Sequence, residues 1–168
     1  MTFEEFLEIR EIEQLKYRYM RAVDTHDWEL MERCFAEDAE TWYGKGTYAD
    51  KGRDNILRFF RSVITPVFVS SHIALHPEIT LTGPDTAKGV WRLQDIVHFT
   101  GPNPDSKEAD IEGGEEMVGA GYYYDEYVKL GGEWVIKSTG YVRIFEKINA
   151  PDKRPGSHLK TEAKLGVR

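Results

Sequence analysis

Four charged or ionisable residues stand where the surrounding pattern does not ask for them, and each could do chemistry. Asp95 shares one face of an alternating stretch with Ala87, Gly89, Trp91, Leu93, Val97 and Phe99. A carboxylate on an apolar face is costly unless it is paired or protonated, so Asp95 is either half of a buried ion pair or an acid placed for use. Arg143 repeats the anomaly among Val135, Tyr141 and Phe145. It is either a solvent-facing arginine whose stem packs beside aromatics, or a cation inside a pocket. Asp24 lies at the end of a helical pattern, where its charge opposes the helix dipole. It serves either as an ordinary turn residue or as a partner for something elsewhere. His72 lies in the apolar run 67–73, and a carboxylate partner would turn it from a core residue into a base of fixed tautomer.

Other chemistries find little support. His72 and His76 have the spacing of a helical metal pair, but Pro77 and the β-branched neighbours predict extended chain. Residues four apart are then about 13 Å apart, too far to share an ion, so no metal site is expected. Cys34 is the only cysteine, which rules out an internal disulfide and a thiolate cluster. There is no GxSxG elbow, phosphate loop or GxGxxG fingerprint. The Gly113-Gly114 and Gly119-x-Gly121 pairs suit tight bending better than phosphate binding. Twenty-nine acidic against 22 basic residues give a net charge of −7, which disfavours nucleic acid. No run of apolar residues is long enough to span a membrane, and the first residues do not resemble a secretion signal, so the expected location is cytoplasmic.

The elements that must hold these residues follow from periodicity. Thr2 followed by Glu5 is a capping-box pattern. Apolar residues at 6, 9, 12, 15, 19 and 23 predict a first helix that stops near 24–27. Asp27 can cap a short second helix through Cys34, and a third helix fits 53–64. Strands are expected over 39–44, 67–81, 87–99, 117–129 and 134–145, the last two joined by a Gly131-Gly132 hairpin. Three helices followed by long strands predict an α+β domain over 1–148, with the helices packed on a curved antiparallel sheet. An acidic loop covers 101–115. A basic tail, 149–168, carries net +3 and is either a disordered end or an arm on a neighbouring subunit.

The stretch Tyr19-x-x-x-x-Asp24-x-x-Asp27-Trp28, with Cys34-Phe35-Ala36-Glu37-Asp38-Ala39 after it, resembles the SnoaL-like branch of the nuclear-transport-factor-2-like superfamily. Further similar stretches are Ser71-His72, Pro77-Glu78-Ile79-Thr80, Gly89-x-Trp91-x-Leu93-x-Asp95 and Thr139-Gly140-Tyr141-Val142-Arg143-Ile144. These are most similar to the bacterial bile-acid 7α-dehydratases. Scytalone dehydratase and hexachlorocyclohexane dehydrochlorinase are more weakly similar and share the Asp24–His72 logic. The resemblance implies a cone-shaped α+β barrel with a deep apolar pocket, and site residues at Tyr19, Asp24, Tyr43, His72, Asp95 and Arg143. It implies a cofactor-independent dehydratase acting on a hydrophobic, steroid-like ring. His72 would be the base, Asp24 its anchor, Tyr19 and Tyr43 the oxyanion donors, Asp95 a protonated donor and Arg143 a clamp. An isomerase of the ketosteroid type and a non-catalytic binding or assembly module are the alternatives. A homo-oligomer, trimer before dimer, is expected from the family habit and from apolar residues such as Val90 and Ile96 on the outer face. The 101–115 loop and the basic tail depart from the dehydratase pattern.

Overall fold

A computed structural model describes residues 1–103, 111–152 and 159. The tail expected over 149–168 therefore lies largely outside the described residues. Helix α1 covers Phe3–Thr25. Its capping box forms as expected: Thr2 Oγ1 accepts from Glu5 N–H, and Glu5 Oε2 accepts from Thr2 N–H. It ends where His26 turns into the left-handed region at φ 53°. Asp27 then caps α2 (Trp28–Cys34) by accepting from Leu30 N–H at 2.9 Å. Strand β1 (Phe35–Tyr43) follows, then β2 (Tyr48–Lys51), α3 (Arg53–Val63), β3 (Phe68–Gly83), β4 (Thr86–Phe99), β5 (Glu116–Leu130) and β6 (Glu133–Asn149).

The six strands form one sheet in the order β2-β1-β6-β5-β4-β3. The α+β class holds, but the sheet is mixed, because β1 pairs with β6 in parallel. Alternation of apolar residues reports which face a strand buries and is blind to its direction. Strand β1 also begins four residues earlier than expected, directly after α2. Strand β2 was not anticipated, because Tyr48-Ala49-Asp50-Lys51 has no apolar run. Pro77 is accommodated in β3 because that strand is at the sheet edge and carries a bulge between Leu75 and Glu78.

Two bulges decide the site. The β5–β6 register slips once at Lys137 and again at Ile144. Before the first slip, Trp134 and Ile136 are the buried residues of β6; after it, Thr139 is buried and Tyr141 and Arg143 turn to the same side. After the second, Phe145 is half exposed. The expected grouping of Val135, Arg143 and Phe145 on one face therefore fails, since each bulge exchanges the faces. Strand β4 has no such slip against β5, and its alternation places Asp95 inward, only 1% exposed.

Helix α1 is fixed on the sheet by a buried ion pair. Lys16 Nζ lies 2.8 Å from Asp125 Oδ2, and both side chains are fully buried. Asp125 also accepts from Tyr127 OH at 2.6 Å and from Thr139 Oγ1 at 2.7 Å. Trp91 Nε1 in turn donates to Tyr127 OH. Burial lowers the Lys16 pKa and the Asp125 charge opposes that. Removing one member strands the other charge in the core. Lys16→Ala should therefore cost about 3–5 kcal/mol in urea unfolding, whereas Lys51→Ala, at an exposed pair with Glu40, should barely move the midpoint. Equal, small shifts for both variants would contradict this picture.

Candidate active site

The end of α1 and the inner face of β3 meet at Asp24. Its carboxylate accepts from the backbone N–H of His72 at 2.9 Å and from Ser70 Oγ at 2.8 Å. It also lies 2.7 Å from His72 Nδ1. A carboxylate accepts, so Nδ1 carries a proton, and in the neutral ring the lone pair is on Nε2. The His72 side chain is 11% exposed, and Nε2 lies 3.9 Å from Asp95 Oδ2. His76 stands apart on the exposed side of the β3 bulge, at φ 48°.

Strand pairing places Asp95 directly opposite His72. Both its oxygens are taken by Arg143, which donates Nη1–H to Oδ1 at 2.6 Å and Nη2–H to Oδ2 at 2.8 Å. The expectation of a protonated, donating Asp95 is thereby corrected: in this geometry it is an acceptor in a bidentate ion pair. Burial disfavours the Arg143 charge, but the hydrogen bonds and charge of Asp95 outweigh it and push the guanidinium pKa up. Arg143 also lies over the Tyr141 ring at 4.5 Å. The fork needs Gly119, where a Cβ would fall 2.6 Å from Asp95 Oδ1.

Tyr19 of α1 and Tyr43 of β1 share a hydrogen bond of 2.8 Å between their hydroxyls. Burial raises both pKa values well above the ordinary phenol value. Tyr19, Tyr43, His72, Asp95 and Arg143 all line one cavity of about 140 Å3, whose remaining wall is mostly aromatic and aliphatic. Asp24 supports this wall from behind His72. Among the described residues, no group of three or more His, Cys, Asp or Glu side chains could hold a metal ion. Burial pushes the Cys34 thiol up to about 11, which makes it a poor nucleophile.

Some residues of the site escaped sequence reasoning. Ser70 precedes His72 by two on the same strand face, and that spacing was the available signal. Asp125 alternates with Tyr123 and Tyr127 as Asp95 does with Leu93 and Val97. Lys16 lies four residues after Ile12 on the buried face of α1.

The family profile described as a SnoaL-like domain matches residues 4–140. A probable cyclase of Gibberella zeae is 20% identical over 147 residues, 82% of this chain and 91% of that protein. The crystal structure of a putative scytalone dehydratase from Novosphingobium aromaticivorans superposes with a TM-score of 0.74 at 21% identity, covering 100% of this chain and 99% of that one. Hexachlorocyclohexane dehydrochlorinase LinA-type3 from Novosphingobium barchaimii gives 0.73 at 16% identity, covering 94% and 97%. These structures share the nuclear-transport-factor-2-like fold with this chain.

The buried phenols carry a pH consequence. Tyr19, Tyr43, Tyr123 and Tyr127 have pKa values raised chiefly by burial. The unfolded chain loses these protons near pH 10 and the native chain does not. Their contribution to stability is therefore complete below about pH 10 and falls as pH rises beyond it. In ultraviolet titration of the folded protein at about pH 11, these four should stay protonated and ionise only when denaturant is added. Ionisation of all nine tyrosines without unfolding would contradict the burial.

Proposed function

Because the chain belongs to the SnoaL-like domain family, we propose that it is a cofactor-independent lyase that eliminates water from an apolar ring substrate. The observation that carries this reading is the His72 imidazole, held through Nδ1 by Asp24 with Nε2 free, in the wall of an apolar cavity. Such a group can accept a proton from the carbon next to a carbonyl. The imidazolium so formed lies between two carboxylates, Asp24 and Asp95. It can return the proton from Nε2 to the departing hydroxyl, so the proton leaves with water and the electron pair closes the new double bond. Tyr19 and Tyr43 can both donate because burial keeps them protonated. One phenol donates to the other, which leaves the second free to meet the developing oxyanion. Arg143 holds Asp95 in position opposite His72.

Dehydratase and dehydrochlorinase, the names of the two structural relatives, both describe eliminations. An apolar cavity of about 150 Å3 takes one benzene-sized ring. A cavity of about 140 Å3 favours a compact ring substrate over the four-ring skeleton of a bile acid. The outer sheet face exposes Ile73, Leu75, Tyr124, Val142 and Ile144, each 40–59% exposed. Further copies of the chain are the proposed cover, as a trimer by the resemblance.

Cyclic β-hydroxy ketones, assayed for growth of the enone absorbance, test the reaction. His72→Ala should fold, still bind the product enone, and lose turnover by about 10²–10⁴-fold. Asp24→Asn should also lose turnover, since the amide no longer fixes the Nδ1–H tautomer; His76→Ala should not. A folded His72→Ala variant with full turnover would overturn the mechanism. The assembly is tested by light scattering at micromolar concentration, where three copies are expected and a monomer would contradict the proposal.

A further inference from the structure

The inner face of β5 carries a tyrosine that neither the elimination nor the ionic pairs use. Tyr123 lines the cavity with Tyr19 and Tyr43 and is 3% exposed. Tyr19 and Tyr43 share a hydrogen bond, and Tyr127 OH is bonded to both Trp91 and Asp125. The Tyr123 hydroxyl has no hydrogen-bond partner among the described residues. A buried phenol ordinarily finds one. Nor is this hydroxyl sealed inside protein, as the partnerless Thr41 Oγ1 and Asn103 Oδ1 are. With so little of the residue exposed, the surface its hydroxyl keeps opens on the cavity that Tyr123 lines.

The packing around the ring decides where the hydroxyl points. Strand pairing sets Tyr123 opposite Trp91 on β4 and Tyr141 on β6. The Tyr141 ring meets it edge to face at 5.8 Å and lies 5.2 Å from the Tyr43 ring, so these phenols form a row across the sheet. Lys16 Nζ covers the Tyr123 ring, 3.7 Å from its centroid and 5.1 Å from that of Tyr19. The next inward positions of β5, toward the Asp95–Arg143 fork, are Gly121 and Gly119. No side chain of this strand therefore stands between the phenol and the fork. The charges around the hydroxyl agree with that direction: burial raises its pKa most, followed by Tyr43, Asp95 and Tyr141, against Arg143, and all four residues are in the cavity wall. Burial thus keeps the phenol protonated. The ammonium on the ring face draws on its π electrons, which makes the O–H a stronger donor.

We propose that the Tyr123 hydroxyl is a catalytic donor that binds the carbonyl oxygen of the ring substrate, together with the free phenol of the Tyr19–Tyr43 pair. This rests on the reading of the cavity as the site of an elimination beside a carbonyl. A carbonyl oxygen has two lone pairs and can take both bonds at once. As His72 removes the proton from the neighbouring carbon, negative charge moves onto that oxygen, and two fixed donors meet it instead of one. The substrate class narrows to rings in which a carbonyl activates the departing group. A polychlorinated ring, which has no such oxygen, leaves the Tyr123 hydroxyl unmatched.

Two shape-matched probes separate the hydrogen bond from apolar packing: cyclohexanone, and methylenecyclohexane, in which a CH2 replaces the oxygen. Tyr123→Phe removes the hydroxyl alone. Because that hydroxyl holds nothing in the protein, the urea midpoint should not fall in Tyr123→Phe, whereas it should fall in Tyr127→Phe, which loses bonds to Trp91 and Asp125. In protein labelled with 13C at tyrosine Cζ, the resonance missing from Tyr123→Phe should shift when the wild type is titrated with cyclohexanone. It should stay nearly still with methylenecyclohexane. Affinity for the ketone relative to the alkene should drop by about 3- to 10-fold in Tyr123→Phe, the worth of one hydrogen bond. The same ratio should be unchanged in Tyr122→Phe, on the opposite face of β5. On cyclic β-hydroxy ketones, Tyr123→Phe should lose kcat by about 10²–10³-fold with a smaller change in KM. The proposal is overturned if Tyr123→Phe is destabilised as far as Tyr127→Phe, or if the Tyr123 resonance answers both probes equally or neither. It is overturned equally if the preference for the ketone survives in Tyr123→Phe. Turnover that needs His72 but not the Tyr123 hydroxyl would sink this proposal and leave the lyase reading standing. A ketone response at Tyr123 without any such turnover would do the reverse.

Discussion

The site depends on the carboxylate of Asp24. At the end of α1 this charge opposes the helix dipole and would be unfavourable alone. It is compensated by three donors from one strand: Ser70 Oγ, the His72 backbone N–H and His72 Nδ1. The same contacts that satisfy the charge join α1 to β3 across 48 residues of sequence and orient the imidazole. Backbone and side chain of His72 are held by one group, so the ring cannot turn without giving up its partner.

Two further ionic pairs frame the cavity, and their surroundings assign them different work. Lys16 and Asp125 are wholly enclosed, with Tyr127 and Thr139 completing the carboxylate's hydrogen bonds. That pair fixes the packing of α1 on the sheet beneath Tyr19 and Tyr123. Asp95 and Arg143 lie in the cavity wall, where Arg143 retains some exposure and reaches Glu146 as well. An ion pair in that position brings a fixed carboxylate to the Nε2 side of His72. Nδ1 is hydrogen-bonded to Asp24 at 2.7 Å, while Nε2 stands 3.9 Å from Asp95 Oδ2, beyond hydrogen-bond reach.

Much of the frame was legible in the sequence, because local rules decide it. The Thr2–Glu5 capping box, the Asp27 cap, the Gly131-Gly132 turn and the inward parity of Asp95 need no tertiary information. The parallel pairing of β1 with β6 was hidden, since apolar alternation carries no strand direction. Arg143 was ambiguous for a sharper reason: one extra residue at Lys137 reverses the parity of the residues up to the second bulge at Ile144, and nothing in Ile136-Lys137-Ser138 announces a bulge. The link between Asp24 and His72 came from the family resemblance, not from spacing. Lys16 and Asp125 carried the same signal as Asp95, a charge on an apolar face, yet each explains itself only once the other is seen beside it.

In the neutral ring Asp24 holds His72 as the Nδ1–H tautomer, with Nε2 free to act as a base. Long-range proton–nitrogen correlation spectra of the 15N-labelled protein read this directly at a pH where the ring is neutral. The expected spectra show a protonated Nδ1 and a lone-pair Nε2 for His72 in the wild type, and loss of that preference in Asp24→Asn. A wild-type His72 protonated at Nε2, or a tautomer indifferent to Asp24, would contradict it.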